Sequence, residues 1–148
     1  MPDFVEPPES PAREKALVDE YPMILITGHR IFNFFGSEHR QPGALRNTHP
    51  DPMIEIHPEA AGSYGIEDGD WVQVSTPRGT AKLRAQLTEG IDRRVVSAEF
   101  GWWFPERDSP DYGWDESNIN MVTDDAPPLD PGMGATNLKG LMCSISPV

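Results

Sequence analysis

The hydrophobic positions of this chain fall in short clusters separated by long polar stretches. Met23-Ile24-Leu25-Ile26, running into Thr27, reads as a short buried strand. Met53-Ile54-Glu55-Ile56 reads as a second, and is followed by "HPEAAGSYGIEDGD". There Pro58 suits the first turn of a helix and Gly65 suits its end. Ile66 to Asp70 forms a tight turn into "WVQVST", in which Trp71, Val72 and Val74 give partial alternation. "TPRGT" joins this strand to "AKLRAQLT", which places Leu83, Ala85 and Leu87 on one face, a hairpin signal. "RRVVSAEF", Arg93 to Phe100, predicts another strand, and a last apolar segment runs from Leu138 to Ile145. Many short strands, one short helix and long loops predict a small, mainly β barrel rather than a parallel sheet.

The length of 148 residues suits one domain with one core, and a hydrophobic content of 37% is low but globular. The 16 prolines concentrate at the N-terminus and between Pro105 and Pro131, so both regions are expected to be extended or looped. The division expected is a flexible linker or strap over residues 1–20, from which Phe4, Val5, Leu17 and Val18 could still dock, and one domain over residues 21–148. No apolar run approaches the ~18 residues of a membrane-spanning helix. No charged-then-apolar leader is visible, which makes the cytoplasm the default compartment while leaving export of a parent enzyme open. The single cysteine, Cys143, excludes an internal disulfide and is expected to act as a small buried hydrophobe.

The formal charge of −12 is unevenly spread. Residues 1–20 hold six acids and two bases, and residues 104–130 hold eight acids and one base. Between Gly28 and His49, by contrast, Arg30, Arg40 and Arg46 face the single acid Glu38, a local net of +2. That pattern argues against a nucleic-acid binder, which needs a broad basic surface. It is compatible with one anionic ligand in one pocket; the plainer reading is that the arginines pair with acids elsewhere. The stretch "TGHRIFNFFGSEHRQ" interleaves these cations with Phe32, Phe34 and Phe35 directly after the first strand.

Other motifs carry less. His29, His39, His49 and His57 lack the spacing of common zinc sites. "GMGATN", Gly132 to Asn137, follows no strand and reads as a loop, not a dinucleotide fingerprint. In "FGWWFPE" two adjacent tryptophans after a strand cannot both face the same core, since successive side chains alternate, so one is expected to meet a ligand or partner. "ESNINMVT" offers Asn118 and Asn120, whose amides suit a heterocycle edge; the plainer reading is a loop turned by asparagines.

In order, "TGHR", "FFGSEHRQPGALRNTHPDPMIEIHPEAA", "GIEDGDWVQVSTPRG", "GWWFPE", "SNINMVT" and "LKGLMC" resemble the C-terminal molybdopterin-dinucleotide-binding domain of the dimethyl-sulfoxide-reductase family of molybdenum and tungsten oxidoreductases. Formate dehydrogenases and thiosulfate, polysulfide and arsenate reductases belong to that family. The resemblance covers Tyr21 to about Cys143. It implies a six-stranded double-psi β barrel closing over molybdopterin guanine dinucleotide. Thr27 and Gly28 would border the cofactor at the end of the first strand, with Gly28 supplying a backbone N–H. Arg30 and Arg40 would supply charge, and Ser37, Glu38 and His39 would line the pterin edges. Trp102 would lie beside the cofactor, with Asn118 and Asn120 against a pterin. Many relatives carry histidine where this chain has Gly36, which removes one expected hydrogen bond.

The same resemblance puts the metal's protein ligand in another domain, and the iron–sulfur motif is absent from this chain. The chain alone is therefore expected to be inactive. Its expected partners are the remaining domains of a catalytic subunit and an iron–sulfur electron-transfer subunit, with no nucleic acid and no membrane insertion. The cofactor-bordering loops are expected to be open and mobile when unliganded, having few apolar residues to pack. Two other classes are compatible with a barrel of this kind: a stand-alone protein-interaction module, and a self-processing pyruvoyl-type decarboxylase cleaved before a serine.

Overall fold

The computed structural model describes residues 5–148. Six strands, β1 (Met23–His29), β2 (Met53–Ile56), β3 (Trp71–Thr76), β4 (Gly79–Leu87), β5 (Val95–Glu99) and β6 (Lys139–Pro147), close into a barrel. Its strand order is β1-β5-β2-β4-β3-β6. Two pairs, β1 with β5 and β2 with β4, are parallel, and every other pair is antiparallel. The architecture is the mainly β, six-stranded double-psi barrel.

The period-two pattern explains the strands. Val72 and Val74 of β3, Ala81, Leu83 and Ala85 of β4, and Ile54 and Ile56 of β2 all point inward and are buried. With Leu25, Val96, Leu141 and Ile145 they form the main core. Each Val, Leu or Ile side chain among them contributes roughly 1.5–3 kcal/mol by leaving water. The β3–β4 hairpin turns at Pro77-Arg78, with Thr76 paired to Gly79. Cys143 lies in the core, its thiol pushed up to about 12 by burial.

The helix expected after Met53–Ile56 is α2 (Pro58–Tyr64). Pro58 occupies its first turn, the His57 ring accepts the Glu59 N–H, and Gly65 ends it at φ 68°. A side chain there would be strained. In the following turn Asp70 accepts from the Glu67 N–H and Asp68 accepts from the Leu87 N–H, so these acids are scaffold. Two further short helices are α1 (Gly43–Arg46) and α3 (Trp114–Ser117). "GMGATN" is a loop, turned where Asp130 accepts from Gly132 and Met133. No helix among the described residues is long and apolar enough to cross a membrane.

Strand directions decide where the loops gather. His29 pairs with Glu99, Ala98 with Ile54, and Ile26 with Lys139. The ends of β1 and β5 and the starts of β2 and β6 therefore share one end of the barrel. The long β1–β2 connection (residues 30–52), the β5–β6 connection (residues 100–138) and the β3–β4 turn all emerge there. The opposite end holds α2 and the short β4–β5 loop.

Within the strap region, Phe4 lies outside the described residues. Val5 is exposed, and Leu17 and Val18 are half-buried. Glu9 pairs with Arg78 of the β3–β4 turn, and Arg78 also reaches Asp124 at 2.9 Å. Since Leu17 to Tyr21 lead into the start of β1, residues 9–21 run along the barrel from its loop end to its far end.

Candidate functional site

The loop end of the barrel brings the sequence-derived residues together and divides them into two sets. Arg30, Ser37, Glu38, His39 and Asn120 are exposed, and among the described residues none of these side chains has a hydrogen-bond or ion-pair partner. A turn presents three of them: the Glu38 N–H donates to Phe35 O at 2.9 Å, and the two residues form an isolated bridge. His39 leaves this turn at φ 68°, a left-handed conformation that costs a non-glycine residue about 1–2 kcal/mol. Beside the turn is a cleft of about 320 Å³ lined by Arg30, Ile31, Phe34, Phe35, Gly36 and Phe100. Phe32 and Phe35 project into solvent at its rim. Gly28, also exposed, sits at the irregularity between Thr27 and His29 where β1 shifts register against β5.

The other set is turned inward. Thr27 is buried and donates from Oγ1 to Leu138 O at 2.7 Å, tying β1 to the chain entering β6. Trp102 and Arg40 are each 0% exposed. Trp102 packs with Phe34 and Phe104 in a second small core, flanked by Ile31 and Leu45. The Arg40 guanidinium lies 4.2 Å from the Trp102 ring centre and 4.6 Å from that of Phe34. Burial pulls its pKa down to about 10, and Glu99 opposes that shift. Asn118 is intermediate: its amide donates to Trp102 O at 3.0 Å and accepts from the Asn120 N–H at 3.0 Å. Half of its donor–acceptor capacity is therefore spent within the chain.

These placements change two expectations. β5 ends at Glu99 and the chain turns at Gly101, φ 70°, so alternation does not govern the two tryptophans. Trp102 enters the second core, while Trp103 stacks edge-on against Tyr112 and donates to Ser37 O at 2.6 Å. Both thus find places within the chain. The expectation of poorly packed loops is also corrected, because Phe34, Trp102 and Phe104 give this end a core of its own.

Sequence reasoning missed the pair beneath this core. Glu99 is 2% exposed and accepts from the Met53 N–H and from His49 Nε2, both at 2.9 Å. The His49 ring stands 5.8 Å from that of Trp102. Arg46 lies 4.9 Å from the Trp102 ring centre and pairs with Glu106 at 2.9 Å. The available signal was an acid at the inner end of an otherwise apolar strand, which has to be paired. A second concavity of about 370 Å³, on the flank by His49, Asp51, Met53 and Arg84, contains none of the predicted residues.

Such a face offers the exposed Arg30 guanidinium, amide and hydroxyl donors and a carboxylate, beside a cleft of about 320 Å³ lined in part by aromatic rings. It suits a flat, polar-edged ligand with anionic groups. Comparison with known proteins identifies the class. Residues 23–142 match the molydopterin dinucleotide binding domain, and the chain belongs to that family. It is 38% identical over 145 residues to a dopamine dehydroxylase of Eggerthella lenta, covering 98% of this chain and 14% of that protein. It is 30% identical to the assimilatory nitrate reductase catalytic subunit of Bacillus subtilis, over 97% of this chain and 19% of the relative. The solved structure of acetylene hydratase from Pelobacter acetylenicus superposes with a TM-score of 0.92 at 32% identity, covering 99% of this chain and 21% of that one. The chain thus spans about a fifth or less of these larger proteins. It is a molybdopterin dinucleotide-binding domain, and molybdopterin guanine dinucleotide is the cofactor its family binds.

The residues present fit that cofactor. The unpartnered side chains at the turn supply both donors and acceptors, and Arg30 supplies charge for an anionic oxygen. When bound, the cofactor supplies the metal centre at which the chemistry occurs, while this chain holds and orients it.

Proposed function

We propose that the loop end of the barrel is the cofactor-binding face, and that the domain belongs to the catalytic subunit of a molybdenum or tungsten enzyme, such as a formate dehydrogenase or a thiosulfate/polysulfide-type reductase. The observation that carries this reading is that Arg30, Ser37, Glu38, His39 and Asn120 stand exposed at the loop end of the barrel, their side chains without partners among the described residues, with Arg30 lining a cleft beside the 36–39 turn. Arg30 holds an anionic or carbonyl oxygen, and Ser37, Glu38, His39 and Asn120 engage polar ring edges. Gly28 contributes its backbone N–H. Thr27, Arg40, Trp102 and Asn118 support these residues from behind. The remaining domains of the subunit close over the other side of the cofactor, and an iron–sulfur subunit exchanges electrons with the metal.

The relatives' names support a domain that carries cofactor rather than choosing substrate. A dehydroxylase, a nitrate reductase and a hydratase share this segment at 30–38% identity although their named reactions differ. Arg30→Ala and Asn120→Ala in the catalytic subunit test the assignment. Losing the charge-assisted contact should weaken retention by about 1.5–3 kcal/mol, and the neutral one by about 0.5–1.5 kcal/mol. Stability should move by about 0.5 kcal/mol or less, since both residues are exposed. Retained cofactor is measured as released, oxidised pterin fluorescence per subunit. Full retention combined with a large fall in melting temperature would refute the assignment.

A further inference from the structure

The turn that presents Ser37, Glu38 and His39 has almost no regular structure of its own, with one isolated bridge and one turn hydrogen bond. What fixes it comes from residues far away in sequence. Arg40 Nη2 donates to Gly36 O at 3.1 Å and to Gly101 O at 3.0 Å, with a longer contact to Phe100 O at 3.4 Å. Arg40 Nε donates to the same Gly101 O at 3.2 Å. One guanidinium thereby joins the presenting turn to the segment leaving β5. The seam is close: a Cβ on Gly101 would lie 3.1 Å from the Ser37 nitrogen, and φ of 70° there already excludes most side chains. Phe34 and Trp102, edge-to-face with each other at 6.1 Å, flank the cation on two adjacent sides, and the residue is fully buried.

We propose that Arg40 is a positioning residue rather than a cofactor ligand: it clamps the 36–39 turn to the 100–101 segment, so that the turn is set before cofactor arrives. This rests on the reading that the turn faces the cofactor. A ligand arginine needs an edge open to the cleft, and this one directs its fork at main-chain carbonyls inside the protein. Nη1 alone has no acceptor among the described residues, and it is buried too. Charge alone cannot do the work of the clamp. The planar fork reaches carbonyls of Gly36 and Gly101 together, which the single ammonium of a lysine cannot reproduce.

The test uses Arg40→Lys, which keeps charge and loses the fork, and Arg40→Met, which keeps the stem and loses both. Amide exchange is measured in the 148-residue chain without cofactor, and retained pterin is measured in the catalytic subunit. Both variants should speed exchange at residues 36–41 and 100–102 at least tenfold, leave residues 71–87 unchanged, and lower retained pterin several-fold. Arg30→Ala should lower retained pterin with no change in exchange. Rescue of pterin by lysine but not methionine would make Arg40 a charge ligand and overturn the proposal. Unchanged exchange in both variants would overturn it too, as would faster exchange with full retention. Full retention in Arg30→Ala and Asn120→Ala as well would show instead that the turn is not the cofactor face. Should Arg40 variants lose protection throughout the barrel, Gly101→Ala opens the same seam from the other side, and the same outcomes apply to it.

Discussion

Replacing Glu99 with alanine should destabilise the 148-residue chain by about 3–5 kcal/mol, a large loss for one residue at a barrel end. The magnitude follows from what the carboxylate holds. The carboxylate is 2% exposed and accepts from the Met53 N–H at 2.9 Å, and leaving that donor unpaired costs about 1–3 kcal/mol. It also accepts from His49 Nε2 at 2.9 Å. The His49 side chain is 22% exposed, so that bond belongs at the lower end, about 1 kcal/mol. The remainder comes from Arg40, fully buried, which loses the nearest charge favouring its protonated form. Glu106→Ala is the control, because that carboxylate pairs with Arg46 at the same 2.9 Å but is 58% exposed. It should cost no more than about 1 kcal/mol. Urea denaturation with an unchanged slope measures both. Glu99→Gln keeps shape and an acceptor and should fall between the two. A loss below about 1 kcal/mol for Glu99→Ala, or equal losses for Glu99 and Glu106, would refute the idea of a buried anion organising this end.

Two further outcomes are expected. His39→Gly should raise stability by about 0.5–1 kcal/mol, the relief of a left-handed φ less the added chain entropy, while lowering retained pterin; denaturation midpoint and pterin fluorescence check the two halves. Cys143, buried and with its thiol pushed up to about 12, should resist a maleimide at pH 8 in the folded chain and label fully in urea, as intact mass would show.

The barrel was legible because its signals are local. Val72 and Val74, then Leu83 and Ala85, alternate with polar residues, and Pro58 with Gly65 brackets α2, so a few neighbouring residues fix each element. The loop end was legible only as a location. That "TGHRIFNFFGSEHRQ", "GWWFPE" and "SNINMVT" would meet follows from strand directions that no single segment encodes. Which residues face outward depends on contacts across about sixty positions, such as Arg40 with Gly101 and Trp103 with Ser37. Burial reverses the expected role of a side chain without altering its chemistry. Arg40 and Arg30 read alike in sequence, yet the first is enclosed by two aromatic rings and the second stands free.

The same enclosure limits how this domain attracts its ligand. Of the three arginines that give residues 28–49 their local net of +2, Arg40 is sealed inside and Arg46 is paired with Glu106. Arg30 is left as the arginine of that segment without a partner among the described residues, on a chain whose net charge is −12. At physiological salt the Debye length is about 8 Å, so distant acids neither strongly repel nor assist an anion at the cleft. Long-range steering therefore contributes little, and one exposed arginine contact is worth only about 1.5–3 kcal/mol. A cleft of about 320 Å³ also encloses a ring system, not a whole dinucleotide. Under the proposed function, tight retention then has to come from the opposing surface that closes over the cofactor. The domain's own contribution is geometry: a rigid barrel, a clamped turn and a strained His39 that are set before the ligand binds.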